Sequence, residues 1–229
     1  MHIPDGFLSP EVAAATGAVS AGAVAYGVHH AGKTLDERRV PLLGVTAAFV
    51  FAAQMLNFPV AGGTSGHFLG AALAAILLGP WLACVVLAVV LVVQAFVFAD
   101  GGVTALGANV LNMGVLGGLG IGTLMLLARA VLPRTRGSLL GIAAVGSWLA
   151  VMAGATACSF ELAISGTVPL GTVLPAMLGV HALIGVGEAV VTVVAVGAVL
   201  AARPDLLEAS GFGVPMQTPG PARLGEVAS

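Results

Sequence analysis

The sequence predicts an all-α integral membrane protein, a bundle of about seven transmembrane helices with its N-terminus outside and its C-terminus in the cytoplasm. Three observations carry this. The 229 residues are 59% hydrophobic and 8% charged, with a mean hydropathy of +1.08, which leaves too little polar side chain to cover a soluble surface. Apolar segments recur at close to the roughly 20 residues that a helix needs to cross a bilayer core. All eight Lys and Arg fall in segments that alternating spans place on one face.

The first helix is expected over residues 9–30, with Ser9 as N-cap, Pro10 at the first position and Glu11 at the positive end of the dipole. The second covers 40–57, the third 66–79 and the fourth 81–98. Gly79-Pro80 separates the short third helix from the fourth, which would otherwise be one apolar run. The fifth, sixth and seventh cover 108–132, 138–164 and 175–202. Two domains result: a transmembrane metal-binding domain over 1–202 and a flexible cytoplasmic tail over 203–229, where Pro204, Pro215, Pro219 and Pro221 oppose regular structure.

Lys33, Arg38 and Arg39 lie between the first two helices. Arg129, Arg134 and Arg136 surround the junction of the fifth and sixth, and Arg203 and Arg223 follow the seventh. The positive-inside rule makes that face cytoplasmic. The segments 1–8, 58–66, 99–107 and 165–174 then share the outer face, without a basic residue. A net charge of −2 gives no reason to expect a nucleic-acid partner. Cys84 and Cys158 sit in apolar runs and read as small buried hydrophobes. Small residues at Ala13, Gly17, Ala21 and Ala25, and at Gly114, Gly118 and Gly122, repeat every fourth position and allow close helix approach, within the bundle or against another subunit.

"GVHHAGKT", Gly27 to Thr34, matches a phosphate-loop string, but that motif needs a strand before it and a helix N-terminus after it. Here a membrane helix leads in and a charged loop follows, so no nucleotide is expected on this chain. The five histidines divide by position. His29 and His30 suit the negative end of the first helix. His2 and His67 share the outer side, and His67 lies in the Gly-rich "NFPVAGGTSGHFLG". No H-E-x-x-H occurs, and no catalytic residue is assigned.

The opening "MHIPDG" gives His2 a specific use. A free Met1 amine, the His2 main-chain nitrogen and His2 Nδ1 can chelate one ion through a five- and a six-membered ring. A nitrogen from His67 completes a square plane, which suits Ni(II) or Cu(II), with strong-field Co(II) also accommodated. Pro4 helps hold the chain bent, and Asp5 is expected to accept a hydrogen bond from a ligand imidazole. The alternative is an untied terminus. Proton competition for these nitrogens predicts an affinity that falls steeply below about pH 7.

Other polar groups are candidates for the surroundings of this site. Asn57 ends the second helix, Ser65 stands in "TSGH", and Asn109 and Asn112 lie a turn apart on the fifth helix. His181 and Glu188, seven residues apart, share a face of the seventh. The asparagines read as helix-to-helix hydrogen bonds. Glu188 has two open readings, an internal hydrogen bond or a gating role near the metal.

"MHIPDGF", "QMLNFPVAGGTSGHFLG", "ADGGVTALGANVLNM" and "GVHALIGVGEA" together resemble the CbiM/NikM family across about residues 1–205. These are the substrate-binding membrane subunits, or S components, of energy-coupling factor transporters for cobalt and nickel. The resemblance implies a seven-helix bundle with the N-terminus inserted from outside. It carries the metal ligands onto the Met1 amine, the main-chain and side-chain nitrogens of His2, and His67. It also implies Co(II) or Ni(II) as transported substrate, with cobalt for cobalamin synthesis favoured, and a location in the cell (inner) membrane. Partners would be a small membrane subunit, a coupling transmembrane subunit and cytoplasmic ATPases, all on separate chains. Two rivals stand beside this reading: a stand-alone secondary transporter or channel, for which no internal repeat is evident, and a membrane metalloenzyme, for which four protein nitrogens leave no open equatorial position.

Overall fold

The computed structural model describes residues 1–60 and 64–215. Its helices are α1 (Pro10–Thr34), α2 (Val40–Gln54), α3 (Ala71–Leu78), α4 (Pro80–Val97), α5 (Leu106–Val131), α6 (Arg136–Ile164), α7 (Leu170–Ala202) and the short α8 (Asp205–Glu208). Between α2 and α3 lies an antiparallel hairpin of β1 (Asn57–Val60) and β2 (Thr64–His67), which pairs Asn57 with His67 and Val60 with Thr64. The chain is a multi-pass membrane protein. α1, α4, α5, α6 and α7 are long and apolar enough to cross a bilayer. Large apolar side chains such as Val45, Leu127, Val145, Leu183 and Val194 stay exposed on the outside of the bundle, as lipid requires.

The ends of the elements show local chemistry at work. Ser9 caps α1 by accepting from the Val12 N–H, with Pro10 just inside. α1 continues to Thr34, so the Gly27–Thr34 string lies wholly in helix, where its backbone amides are turned to helix bonds rather than to a phosphate. α7 begins at Leu170 and carries Pro175 inside. A start at 175 is expected from the sequence; the helix instead begins at Leu170 and accommodates Pro175 past its first turn at the cost of one main-chain bond.

The largest difference from the sequence reading concerns the second and third helices. The second stops at Gln54, and residues expected to begin the third are strand β2 instead. α3 is eight residues long, too short to cross alone, because strand β2 and the link that follows it take up residues 64–70. Every residue of α3 is buried. α4, the most buried of the five long helices, lies among α1, α2, α3 and α5.

α5 widens into a π-helix over Leu111–Ile121. There its glycines bring it against α4: a Cβ on Gly118 would stand 3.2 Å from the Cys84 backbone nitrogen. Gly17 on α1 meets Gly107 on α5 at backbone contact, whereas Ala21 and Ala25 stay exposed. Both cysteines are free and buried. α6 and α7 pack along their lengths, with Trp148 donating to the Ala182 carbonyl at 3.2 Å.

The segment after α7 is packed further than the loose tail expected from residue 203. Leu207 and Phe212 are fully buried, and Ser210 Oγ donates to the Ile76 carbonyl at 2.6 Å. Buried Arg129 donates to the carbonyls of Pro133 and Gly213. Two aromatic or aliphatic anchors and a guanidinium thus tie 203–215 to the bundle end opposite His67. The rest of the expected tail, with Pro219, Pro221 and Arg223, lies outside the described residues.

Candidate metal centre

The chain begins inside the protein. Met1, His2 and Ile3 are all buried, with Met1 and Ile3 fully so. Asn109 on α5 holds the segment like a neighbouring strand: its Oδ1 accepts the Ile3 N–H at 2.8 Å, and its Nδ2 donates to the Ile3 carbonyl at 3.2 Å. That carbonyl also accepts the Gly102 N–H at 2.8 Å. The Met1 thioether lies against Gly154 on α6. The Met1 amine donates to the Ser65 carbonyl and stands 3.4 Å from Ser65 Oγ.

The α4–α5 loop is shaped to admit this segment. Gly101 has φ +90°, a conformation that glycine adopts freely. A Cβ on Gly102 would fall 2.6 Å from the Pro4 carbonyl carbon. Asp5 turns away from the imidazoles, contrary to the role expected for it. Its Oδ1 accepts the Thr104 N–H at 2.7 Å and the Thr104 hydroxyl at 2.5 Å, because the loop offers two donors directly beside it. Those bonds hold its carboxyl below the usual range.

β2 brings His67 to His2. The two rings are 4.4 Å apart between centroids and inclined by 33°. His2 Nε2 lies 3.0 Å from Gln94 Oε1 on α4, and His67 Nδ1 lies 2.6 Å from the Phe68 carbonyl. Both partners are acceptors, so those nitrogens carry the hydrogens. The lone pairs then sit on His2 Nδ1 and His67 Nε2, which are buried and have no hydrogen-bond partner. Buried polar atoms are nearly always paired, so two bare nitrogens on adjacent rings beside a buried amine call for a common partner.

Electrostatics favour the unprotonated forms. Burial lowers the Met1 amine from 8.0 to about 5. Burial, with the neighbouring amine adding to it, lowers His2 from 6.5 to about 4. Burial likewise holds His67 well below its ordinary value, with the amine and His2 reinforcing it. Three nitrogen bases are thus kept neutral at pH 7, as metal ligation requires. Among the described residues no group of three or more His, Cys, Asp and Glu side chains is placed to share an ion. The N-terminal set has two imidazoles and draws its other nitrogens from the main chain.

The remaining candidates fall around this centre in different ways. Asn57 donates to Asp100 Oδ2 at 3.2 Å, a partner across a loop rather than on a neighbouring helix. Asn112 donates to Glu161 on α6 at 2.6 Å, the helix-to-helix bond expected of it. Glu188 accepts the N–H groups of Leu69 and Gly70 at 2.8 and 2.6 Å. It therefore fixes the link from His67 into α3, an internal hydrogen-bonding role. His181 is fully buried, with Nδ1 on the Met177 carbonyl at 2.8 Å and Nε2 unpartnered. One turn before it, Met177 Sδ accepts from Thr64 Oγ1, which sets this face of α7 along β2.

Gln94 and Asp100 escaped the sequence reading. Gln94 is fully buried, and a lone amide inside "VVLVVQAFV" was the signal available. Asp100 Oδ1 stands 3.6 Å from His2 Nδ1, and its position in "ADGG" marked it only as a loop residue.

Comparison with known proteins agrees with this architecture. The family model described as the cobalt uptake substrate-specific transmembrane region, CbiM, matches residues 2–206. A protein of Haloquadratum walsbyi named for metal transport is 42% identical over 210 residues, covering 90% of this chain and 93% of its own length. The fused nickel transport protein NikMN of Rhodobacter capsulatus is 35% identical over 227 residues, covering 90% of this chain and 64% of its own length. A crystal structure of a truncated transition metal transporter superposes with a TM-score of 0.80 at 33% identity, covering 88% of this chain and 99% of that one. With a family match over nearly the whole bundle, the chain belongs to the CbiM family of substrate-specific transmembrane proteins.

Proposed function

We propose that this protein captures Co(II) or Ni(II) at the Met1, His2 and His67 nitrogens and hands it to an ATP-driven energy-coupling factor transporter. It is a component of a cobalt/nickel transport system and not an enzyme. The observation behind the capture site is the pair of bare, buried nitrogens on rings 4.4 Å apart, next to an amine that burial keeps unprotonated. The donors are the Met1 amine, the His2 main-chain nitrogen, His2 Nδ1 and His67 Nε2. Four nitrogens in a plane suit a tetragonal ion. Deprotonation of the His2 amide on binding would remove one positive charge from a buried site.

Cobalt is the favoured cargo, because the matching family model describes cobalt uptake, while the Rhodobacter relative is named for nickel. That relative is a fused protein of which this chain spans 64%, which supports partnership with further transporter subunits. We assign the remaining roles to a small membrane subunit, a coupling transmembrane subunit and cytoplasmic ATPases. The basic residues set the orientation: the end of the bundle with Arg39, Arg129 and Arg203 faces the cytoplasm of a cell membrane, and the Met1 end faces outward.

Metal analysis of the purified protein tests the site. His2→Ala and His67→Ala should each abolish tight Co(II) and Ni(II) binding. A residue added before Met1 should do the same while the helical circular dichroism is retained. Tight binding in all three variants would remove the assignment. A stand-alone transporter predicts uptake into vesicles that contain this chain and no ATPase.

A further inference from the structure

His2 lines an open cavity of about 520 Å³ together with Asp5, Asn57, Ser65 and Asp100. Two carboxylates line it, and no Lys or Arg is among its lining residues. The Asp5 carboxylate is occupied by Thr104. Asp100 is placed differently: its Oδ2 accepts from Asn57, and its Oδ1 points to His2 Nδ1 at 3.6 Å. That separation is too long for a hydrogen bond, yet it suits two donors of one ion. Zinc, of similar size, sits about 2.0–2.2 Å from nitrogen and oxygen donors. Asp100 is also partly exposed, at 14%, against 2% for the His2 side chain. An ion in the cavity therefore reaches the carboxylate first and the imidazole second.

From this geometry, and resting on the metal-capture reading above, we infer that Asp100 is the entry ligand of the transporter. It draws the hydrated ion into the cavity, replaces one of its waters with Oδ1, and passes it to His2 Nδ1. The exchange balances without a redox partner: one metal–water bond breaks as the metal–carboxylate bond forms, the remaining waters leave as the nitrogens bind, the His2 amide gives its proton to solvent as its nitrogen joins, and the metal–carboxylate bond breaks once the nitrogens have closed. Asn57 is the positioning residue, because it holds Oδ2 and so turns Oδ1 toward the ring. A carboxylate in a cavity without cationic neighbours raises the local cation concentration and the association rate, and salt screens that effect. The final four-nitrogen plane does not include Asp100, so its contribution belongs to the rates of arrival and departure alike rather than to the affinity of the bound state.

Stopped-flow binding of Ni(II) to the full chain in detergent micelles tests this. Asp100→Asn should lower the association rate at least about tenfold at low ionic strength, lower the dissociation rate by a similar factor so that Kd stays the same, leave the absorption spectrum of the bound ion unchanged, and flatten the salt dependence of association. Asp100→Glu should restore most of the rate, and Asn57→Ala should show a smaller loss. An unaltered association rate in Asp100→Asn, or a changed bound-state spectrum, would overturn the inference. Wild-type protein supplies an independent check: association that does not slow as salt rises also overturns it, even where the variant fails to fold. If wild-type protein binds neither Ni(II) nor Co(II), the capture reading itself fails, a result distinct from rapid binding without help from Asp100.

Discussion

Gln94 and the Phe68 carbonyl decide which nitrogen of each imidazole is bare. By accepting from His2 Nε2 and His67 Nδ1, they leave the facing nitrogens free, and such outer hydrogen bonds typically account for 10–100-fold in metal affinity. Gln94→Leu should therefore weaken Co(II) and Ni(II) binding by about that factor, read by isothermal titration, while the bound-ion spectrum remains that of four nitrogens. The acid dependence also belongs to these residues. The unfolded chain takes up protons at the amine and imidazoles near their ordinary 8.0 and 6.5, whereas the folded amine and His2 wait until about 5 and 4. Between those values the unfolded state binds more protons, so the stability of the metal-free protein rises with pH across that window and falls as pH drops through it. Melting curves should show a lower midpoint at pH 5 than at pH 7.5. Loss of metal to competing protons at the amine and imidazoles, expected from the sequence below about pH 7, moves down to about pH 5 because burial has already made them poor bases. The His2 amide proton, released on binding, leaves a shallower slope above that, about tenfold per pH unit. Metal-binding titrations across this range measure both limbs. His2 and Met1 are legible as candidate ligands because adjacency in sequence alone can build their chelate rings. Asp5 was misjudged, since Thr104 competes for it from a loop far away in the chain.

Two elements hold the halves of the centre at a fixed separation. The first is the cradle of residues 101–109, which accepts the N-terminal segment because Gly102 has no side chain. Gly102→Ala would put a Cβ 2.6 Å from the Pro4 carbonyl carbon, where the neighbouring atom is backbone and has no easy escape. The expected result is expulsion of Met1–Ile3 and loss of metal binding, with helix content unchanged by circular dichroism. The second is the β2–α3 link, whose Leu69 and Gly70 amides end on Glu188. Glu188→Ala strands both N–H groups in a fully buried place, at about 1–3 kcal/mol each. It should lower the melting midpoint and, by loosening His67, the metal affinity as well. The hairpin that precedes this link was hidden from the sequence reading. Four-residue strands flanked by apolar helices have no periodicity that separates them from helix ends. The seven-residue spacing of His181 and Glu188 did give their shared face, but not which amides Glu188 would meet.

At the scale of the whole molecule, the bound ion should act as a clamp across the bundle. The proposed donors come from the chain terminus, which lies on α4, α5 and α6, and from β2, which lies on α7. An ion that binds only the folded protein adds about 2.7 kcal/mol when present at a hundred times its dissociation constant. Thermal melts with Co(II) or Ni(II) should shift upward by several degrees, and the shift should vanish in His67→Ala. Transport needs more than this clamp. Vesicles with this chain alone should bind metal but not accumulate it, and accumulation should appear with the ATPase-bearing subunits and ATP.

The sequence by itself determined that this is a membrane protein, where most of its long apolar helices run, and that its N-terminal residues can offer adjacent nitrogen donors. Those properties depend on composition, on local caps and breakers, and on neighbours in the chain. Only the tertiary structure decided that β2 carries His67 to His2, that Gln94 meets His2 Nε2 and Asp100 packs beside His2 Nδ1, that Thr104 claims Asp5, and that residues 203–215 fold back onto the bundle. Each of these is a hydrogen bond or a packing contact between groups far apart along the chain. Helix periodicity is silent about such contacts, because any one face of an apolar helix can meet several partners until the whole bundle has closed.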